Sequence, residues 1–188
     1  MTKPLEDFEN VSVYTIDEER RETLLARGNE AAITWSTTDG WPIGVMHIYV
    51  WRDGCFWVTC TQNRKRVPAL RKRPQSSAIL AFEDEQTITA KTLATVHEPG
   101  NQHEGWFFRA LAERVMEGQP PAVRDQGIDG FIARLASENR VILQLKPVKW
   151  ISFDGRRVKA HAAGLWQPGE PWVEPETRVS PGAPTVDP

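Results

Sequence analysis

Phe56-Trp57-Val58-Thr59-Cys60-Thr61 has the β-branched and aromatic content of a strand, and it runs straight into Gln62-Asn63-Arg64-Lys65-Arg66. The hydroxyls of Thr59 and Thr61, the amide of Asn63 and three cations therefore converge within one turn of backbone. A phosphate monoester carries about −1.5 to −2 charges at neutral pH and three strong acceptor oxygens. A guanidinium fork, an ammonium and the unpaired amides of a helix start are the groups that hold such an anion. The chemistry these residues suggest is capture of a small phosphate-bearing ligand. For Arg71, Lys72 and Arg73 a solvated helix face is the simpler reading. His47 reads as a hydrogen-bonded strand histidine. His97, His103 and His161 lack partners at ligand spacing, and two cysteines without a metal motif give no metal site. No nucleophile–base arrangement and no paired carboxylates stand out, so no catalytic residue is assigned.

The elements that must position this turn are short. Thr15 and Glu18 have the spacing of a capping box, Asp17, Glu18 and Glu19 suit a helix start, and Gly28 supplies a stop, which predicts a helix over 15–28. Two Asp-Gly pairs, Asp39-Gly40 and Asp53-Gly54, separate apolar runs and predict a meander of three antiparallel strands, the second spanning Trp41 to Trp51. In that strand Val45, His47, Tyr49 and Trp51 share one face and Met46, Ile48 and Val50 the other, with both faces expected to be covered. Val67 to Lys72 predicts a short helix, with Pro68 tolerated in its first turn. Ser76 to Phe82 and Gln86 to Val96 alternate as two further strands. Helical spacing predicts an insert over 103–137, and Arg140 to Phe153 reads as a closing strand.

At 188 residues, 40% hydrophobic and 26% charged, the chain suits one buried core. We expect one domain over 1–163 and a Pro/Gly-rich tail over 164–188, which Trp166 and Trp172 could pin to a surface. A net charge of −2 argues against a surface devoted to nucleic acid or anionic lipid. Cys55 and Cys60 lie on opposite faces of one strand and cannot bridge each other, which suggests a reducing compartment. No apolar run approaches the roughly 18 residues needed to span a membrane. The expectation is a cytoplasmic protein. Short antiparallel strands with helical insertions and no Gly-rich βα turn predict a mainly β, closed or nearly closed barrel.

The order strand, Asp-Gly, Trp-Pro strand, Asp-Gly, strand ending at Thr59, Asn63-Arg64-Lys65, Leu70 and Arg73-Pro74 resembles the pyridoxamine 5′-phosphate oxidase-like, or split-barrel flavin-binding, superfamily over Asn29 to Asp154. The resemblance implies a six-stranded antiparallel split β-barrel and a homodimer with flavin-type cofactors at the subunit interface. It implies ribityl-phosphate contacts from Trp57, Thr59, Thr61, Asn63, Arg64 and Lys65, with Asn63 standing where the family has serine. Ring-edge contacts would come from Met46, His47 and Ile48, and Thr87 falls near a position where some members use Gln. Trp57 and Trp106 are the tryptophans placed to approach a ring. The C-terminal tryptophan and arginine–histidine signature of the true pyridoxamine phosphate oxidases has no counterpart, so vitamin-salvage oxidation is not expected. The resemblance points instead to an oxidoreductase acting on a small organic substrate with flavin mononucleotide (FMN), or alternatively with deazaflavin F-420. A carrier of flavin, deazaflavin or haem that does not turn over is the other reading, and a nucleic-acid module is disfavoured by the acidic net charge.

Overall fold

The computed structural model describes residues 10–173. Helix α1 (Glu18–Arg27) precedes strands β1 (Glu30–Ser36), β2 (Pro42–Ile48), β3 (Val50–Arg52) and β4 (Cys55–Thr61). There follow helix α2 (Arg66–Lys72), strands β5 (Gln75–Ala81) and β6 (Gln86–His97), helices α3 (Glu104–Val115) and α4 (Pro121–Leu135), strand β7 (Arg140–Asp154) and helix α5 (Gly155–Ala162). Among the described residues no helix is long and apolar enough to cross a membrane.

All strand pairs are antiparallel, in the order β2-β1-β5-β6-β7-β4-β3. The sheet has seven strands where six were expected. The reason lies at Tyr49, where the predicted strand Trp41–Trp51 breaks. Its first half pairs with β1 and its second half with β4. Tyr49 instead sends its backbone N–H to the Asn29 carbonyl at 3.1 Å and its hydroxyl to the Leu25 carbonyl at 2.8 Å. The two edges of the sheet are thus successive stretches of one chain, which curls the sheet on itself. Gly28 is required by this contact rather than as a left-handed helix stop, since its φ is −64° and a Cβ there would collide with the Tyr49 hydroxyl.

Alternation fills the interior. Ile33, Phe56, Val58, Ala78, Leu80, Ile88, Ala90, Leu143 and Leu145 point inward with α1 residues Leu24 and Leu25 and α2 residues Val67 and Leu70. A second apolar cluster lies on the outer face, where α3 and α4 cover Cys55, Trp57 and Ile142. Cys55 and Cys60 therefore sit in different clusters, as their odd–even spacing requires. The Asp53-Gly54 turn has positive φ at both residues, 52° and 67°, which suits a tight hairpin.

Several local expectations are corrected. Asp17, not Thr15, caps α1, its carboxylate accepting from Arg20 N at 2.9 Å. The residue in the extended conformation just before the first turn takes the cap, and that residue is Asp17. β2 is not covered on both faces, because Pro42, Ile43, Gly44 and Met46 are exposed. Helix α5 was not foreseen. Its cap is Asp154, which also accepts from Gln86 and pairs with Arg156. Trp166, buried against Tyr14 and His161, does pack onto the domain. The tail from 174 onward lies outside the described residues.

Candidate functional site

The β3–β4 hairpin pairs Arg52 with Cys55, Trp51 with Phe56 and Val50 with Trp57. Continuing that register would set Ile48 against Thr59, His47 against Cys60 and Met46 against Thr61. No such ladder forms. Beyond Tyr49, β2 pairs only with β1, and the last residues of β4 pair only with β7. Two strand edges therefore face each other across a split, each presenting unpaired backbone N–H and C=O groups. A flat ligand with polar atoms on its rim can use both.

At the end of β4 the chain is tied down from several sides. Thr59 Oγ1 donates to the Val141 carbonyl at 2.7 Å, and Thr61 Oγ1 donates to Asn63 Oδ1 at 2.7 Å. The second bond leaves the Asn63 NH2 group available as a donor. Gln62 bonds Asn139 twice, backbone N–H to carbonyl at 2.7 Å and Nε2 to Oδ1 at 2.8 Å. The turn is thereby pinned to the start of β7, while Arg64 and Lys65 project as exposed cations. A cavity of about 270 Å³ opens beside it, lined by Trp35, Thr37, Thr38, Lys65 and Pro68 among others.

Two cations not assigned from sequence join these. Arg66 is half-buried on the barrel side, with its guanidinium 5.9 Å from the Trp35 ring. Arg140 is half-buried at the start of β7, directly opposite Thr61. Arg66 was visible only as part of a basic run. For Arg140 no local signal exists, because the β4–β7 register alone brings it here.

His47 faces the interior with Nε2 buried and without a hydrogen-bond partner. Burial, reinforced by the nearby Arg66 charge, depresses its pKa to about 4. Burial pushes the Cys60 thiol up, against the opposing pull of Arg66, Arg140 and Arg64. Both groups are uncharged at neutral pH, so the fixed charge at the split is positive.

The structure thus brings Met46, His47, Ile48, Thr59, Thr61, Asn63, Arg64 and Lys65 to one split. Met46 is exposed on the outer face, and Ile48 packs with Val50 and Trp57. Trp57 lies outside the split, buried beneath α3 with Nε1 donating to the Arg52 carbonyl at 3.0 Å. Its neighbours are Trp106, His97 and His103, at centroid distances of 5.0, 5.7 and 4.8 Å. The two histidines, which lack partners at ligand spacing in the sequence, meet at 4.6 Å. Among the described residues no group of three or more His, Cys, Asp or Glu could hold a metal ion. Thr87 is exposed on β6 between Ala81 and Phe153, away from the split of its own chain.

No family model and no curated protein matches the sequence. Solved structures do. A conserved hypothetical protein from Mycobacterium tuberculosis superposes with a TM-score of 0.64 at 15% identity, covering 78% of this chain and 90% of that one. An F420 reductase gives 0.51 at 18% identity, covering 69% and 94%. The haem storage protein HutZ from Vibrio cholerae gives 0.56 at 14% identity, covering 73% and 96%. The likeness is one of fold: a curled, antiparallel, seven-stranded half-barrel, broadly that of a split β-barrel. At these identities the split barrel is what is shared.

Proposed function

We propose that this split barrel binds a flavin-type cofactor, FMN or deazaflavin F-420, and acts as an oxidoreductase on a small organic substrate. The observation that carries the reading is the split: two unpaired strand edges ending at cations that have no carboxylate partner among the described residues. The residues present suit such a cofactor. Arg64, Lys65 and the Asn63 amide would hold its phosphate by charge-assisted hydrogen bonds, and the β2 edge from Met46 to Ile48 would meet the ring edge with backbone groups. A flavin-type ring supplies hydride transfer when bound. This chain's own part is to anchor, to orient and to keep a neutral imidazole, His47, beside the ring site rather than a second cation.

A second copy of the chain belongs to the proposal. Met46, Ala32, Ile79, Thr89 and Ile151 form one cross-strand row on the outer face, with Met46, Ile79 and Ile151 exposed. A row that exposes three large apolar side chains suits an interface. A homodimer through it would bring the partner's outer face, Thr87 included, toward the split.

An absorption spectrum of the freshly purified protein tests the reading. Bound flavin or deazaflavin, released on denaturation and rebound by the stripped protein, supports it. A stripped protein that rebinds neither refutes it. Turnover with a reductant and an acceptor then separates an enzyme from a carrier.

A further inference from the structure

The turn is only part of the positive charge at the mouth of the split. Arg66 enters from the first turn of α2 on the barrel side, and its charge acts on both His47 and Cys60. Arg140 enters from the other side of β4. It sits directly across the ladder from Thr61, so the two side chains leave on the same, outer face. The charges of Arg140 and Arg64 reach the Cys60 sulfur as well. Three guanidinium groups therefore surround the tip of one strand.

Nothing among the described residues balances them. No carboxylate lies at ion-pair distance from Arg64, Lys65, Arg66 or Arg140, whereas Arg71, Arg109, Arg124, Arg156 and Arg157 all have one. The Nε atoms of Arg66 and Arg140 are also buried without a hydrogen-bond acceptor; those of Arg21, Arg73 and Arg157 are too, but these three guanidinium groups meet a carboxylate or a carbonyl elsewhere. A buried donor with no acceptor is costly and calls for an explanation, of which a bound anion is one.

We propose that Arg66 and Arg140 join Arg64 and Lys65 in a four-cation cage that grips a phosphate from both faces of β4, and that the cage takes a dianionic monoester in preference to a diester. A monoester offers about −1.5 to −2 charges and three terminal oxygens, enough for several guanidinium forks. A diester offers one charge and two free oxygens. The inference rests on the flavin-type reading above and sharpens it. FMN ends in a monoester and fits the cage, whereas F-420 carries its phosphate as an internal diester.

The test is calorimetric titration of the cofactor-free protein with inorganic phosphate, dimethyl phosphate, FMN, riboflavin and F-420. Inorganic phosphate and FMN should bind, dimethyl phosphate should not compete, and F-420 should bind at least about tenfold more weakly than FMN, the scale of one charged hydrogen bond. Arg66→Gln and Arg140→Gln should each weaken phosphate and FMN by about tenfold or more and leave riboflavin unchanged, which also shows that the variants fold. Arg66→Lys, which keeps the charge, should recover part of the loss. Equal affinity for FMN and F-420, or phosphate and FMN affinities unmoved in both glutamine variants, overturns the cage. If phosphate binds and depends on both arginines while neither cofactor binds, the cage stands and the flavin-type reading falls. If both cofactors bind equally and the variants are silent, that reading stands and the cage falls.

Discussion

His47 allows the electrostatics of the split to be tested without any ligand. Its Nε2 is buried and unpartnered, and burial together with Arg66 lowers its pKa to about 4. A free imidazole titrates near 6.5. A base whose pKa folding depresses binds fewer protons in the folded state. Its contribution to stability is therefore intact above about pH 6.5, falls as the pH drops, and levels off below about 4. Between pH 7 and pH 5 these two values give a loss of about 2 kcal/mol from His47 alone. The measurement is urea denaturation of the cofactor-free protein at both pH values, for the wild type and for His47→Gln. His97, His103 and His161 are common to both proteins, so whatever they contribute cancels in the difference. The wild type should lose about 2 kcal/mol more than the variant over this interval. Equal losses, or a His47 ring that titrates above pH 6 by NMR, would show that the imidazole is solvated and that Arg66 does not face it.

Other expectations follow from the same contacts. Arg64→Ala and Lys65→Ala should each weaken binding of a phosphate-bearing cofactor by about 1.5–3 kcal/mol, measured by fluorescence titration, and unchanged affinity in both would remove the proposed anchor. Asp154 is buried between Gln86 and Arg156; burial pushes its carboxyl up, but the hydrogen bonds and charge of Arg156 and the Gln86 bond outweigh this and hold it below the usual carboxylate value. Its stabilisation is present above about pH 4 and lost on further acidification, and Asp154→Ala should cost about 3–5 kcal/mol in urea, a value near zero refuting the buried pair. Ile151→Arg, in the outer row, should convert the proposed homodimer to a monomer in sedimentation experiments, and a wild-type monomer or an undisturbed dimer of the variant would reject that face. Trp57→Ala, which empties the cluster under α3, should lower stability by about 3–5 kcal/mol in the same denaturation assay, and a loss under 1 kcal/mol would mean that α3 closes over the gap.

Much of the architecture was legible because its signals are local. The two Asp-Gly turns, the odd–even alternation in Cys55 to Thr61 and the helical spacing after His103 each act within a few residues, and the structure follows them. The failures are local signals outcompeted by distant ones. The run from Trp41 to Trp51 reads as one strand, yet Tyr49 leaves the ladder because the Asn29 and Leu25 carbonyls accept its polar groups. The Thr15–Glu18 spacing reads as a capping box, yet the path of the chain into α1 gives the cap to Asp17.

The order of residues alone determined that hydroxyls, an amide and cations would crowd the end of one strand, since neighbours in sequence cannot be far apart in space. It also determined which side chains share a face, since β periodicity admits two sides. Only the tertiary structure decided that this strand end confronts the unpaired edge of β2, that Arg140 arrives there from far along the chain, and that His47 is half-buried, with its Nε2 shielded and its pKa depressed. Register between distant strands and the dielectric around a buried ring depend on how the whole sheet closes, and no stretch of sequence contains that information by itself.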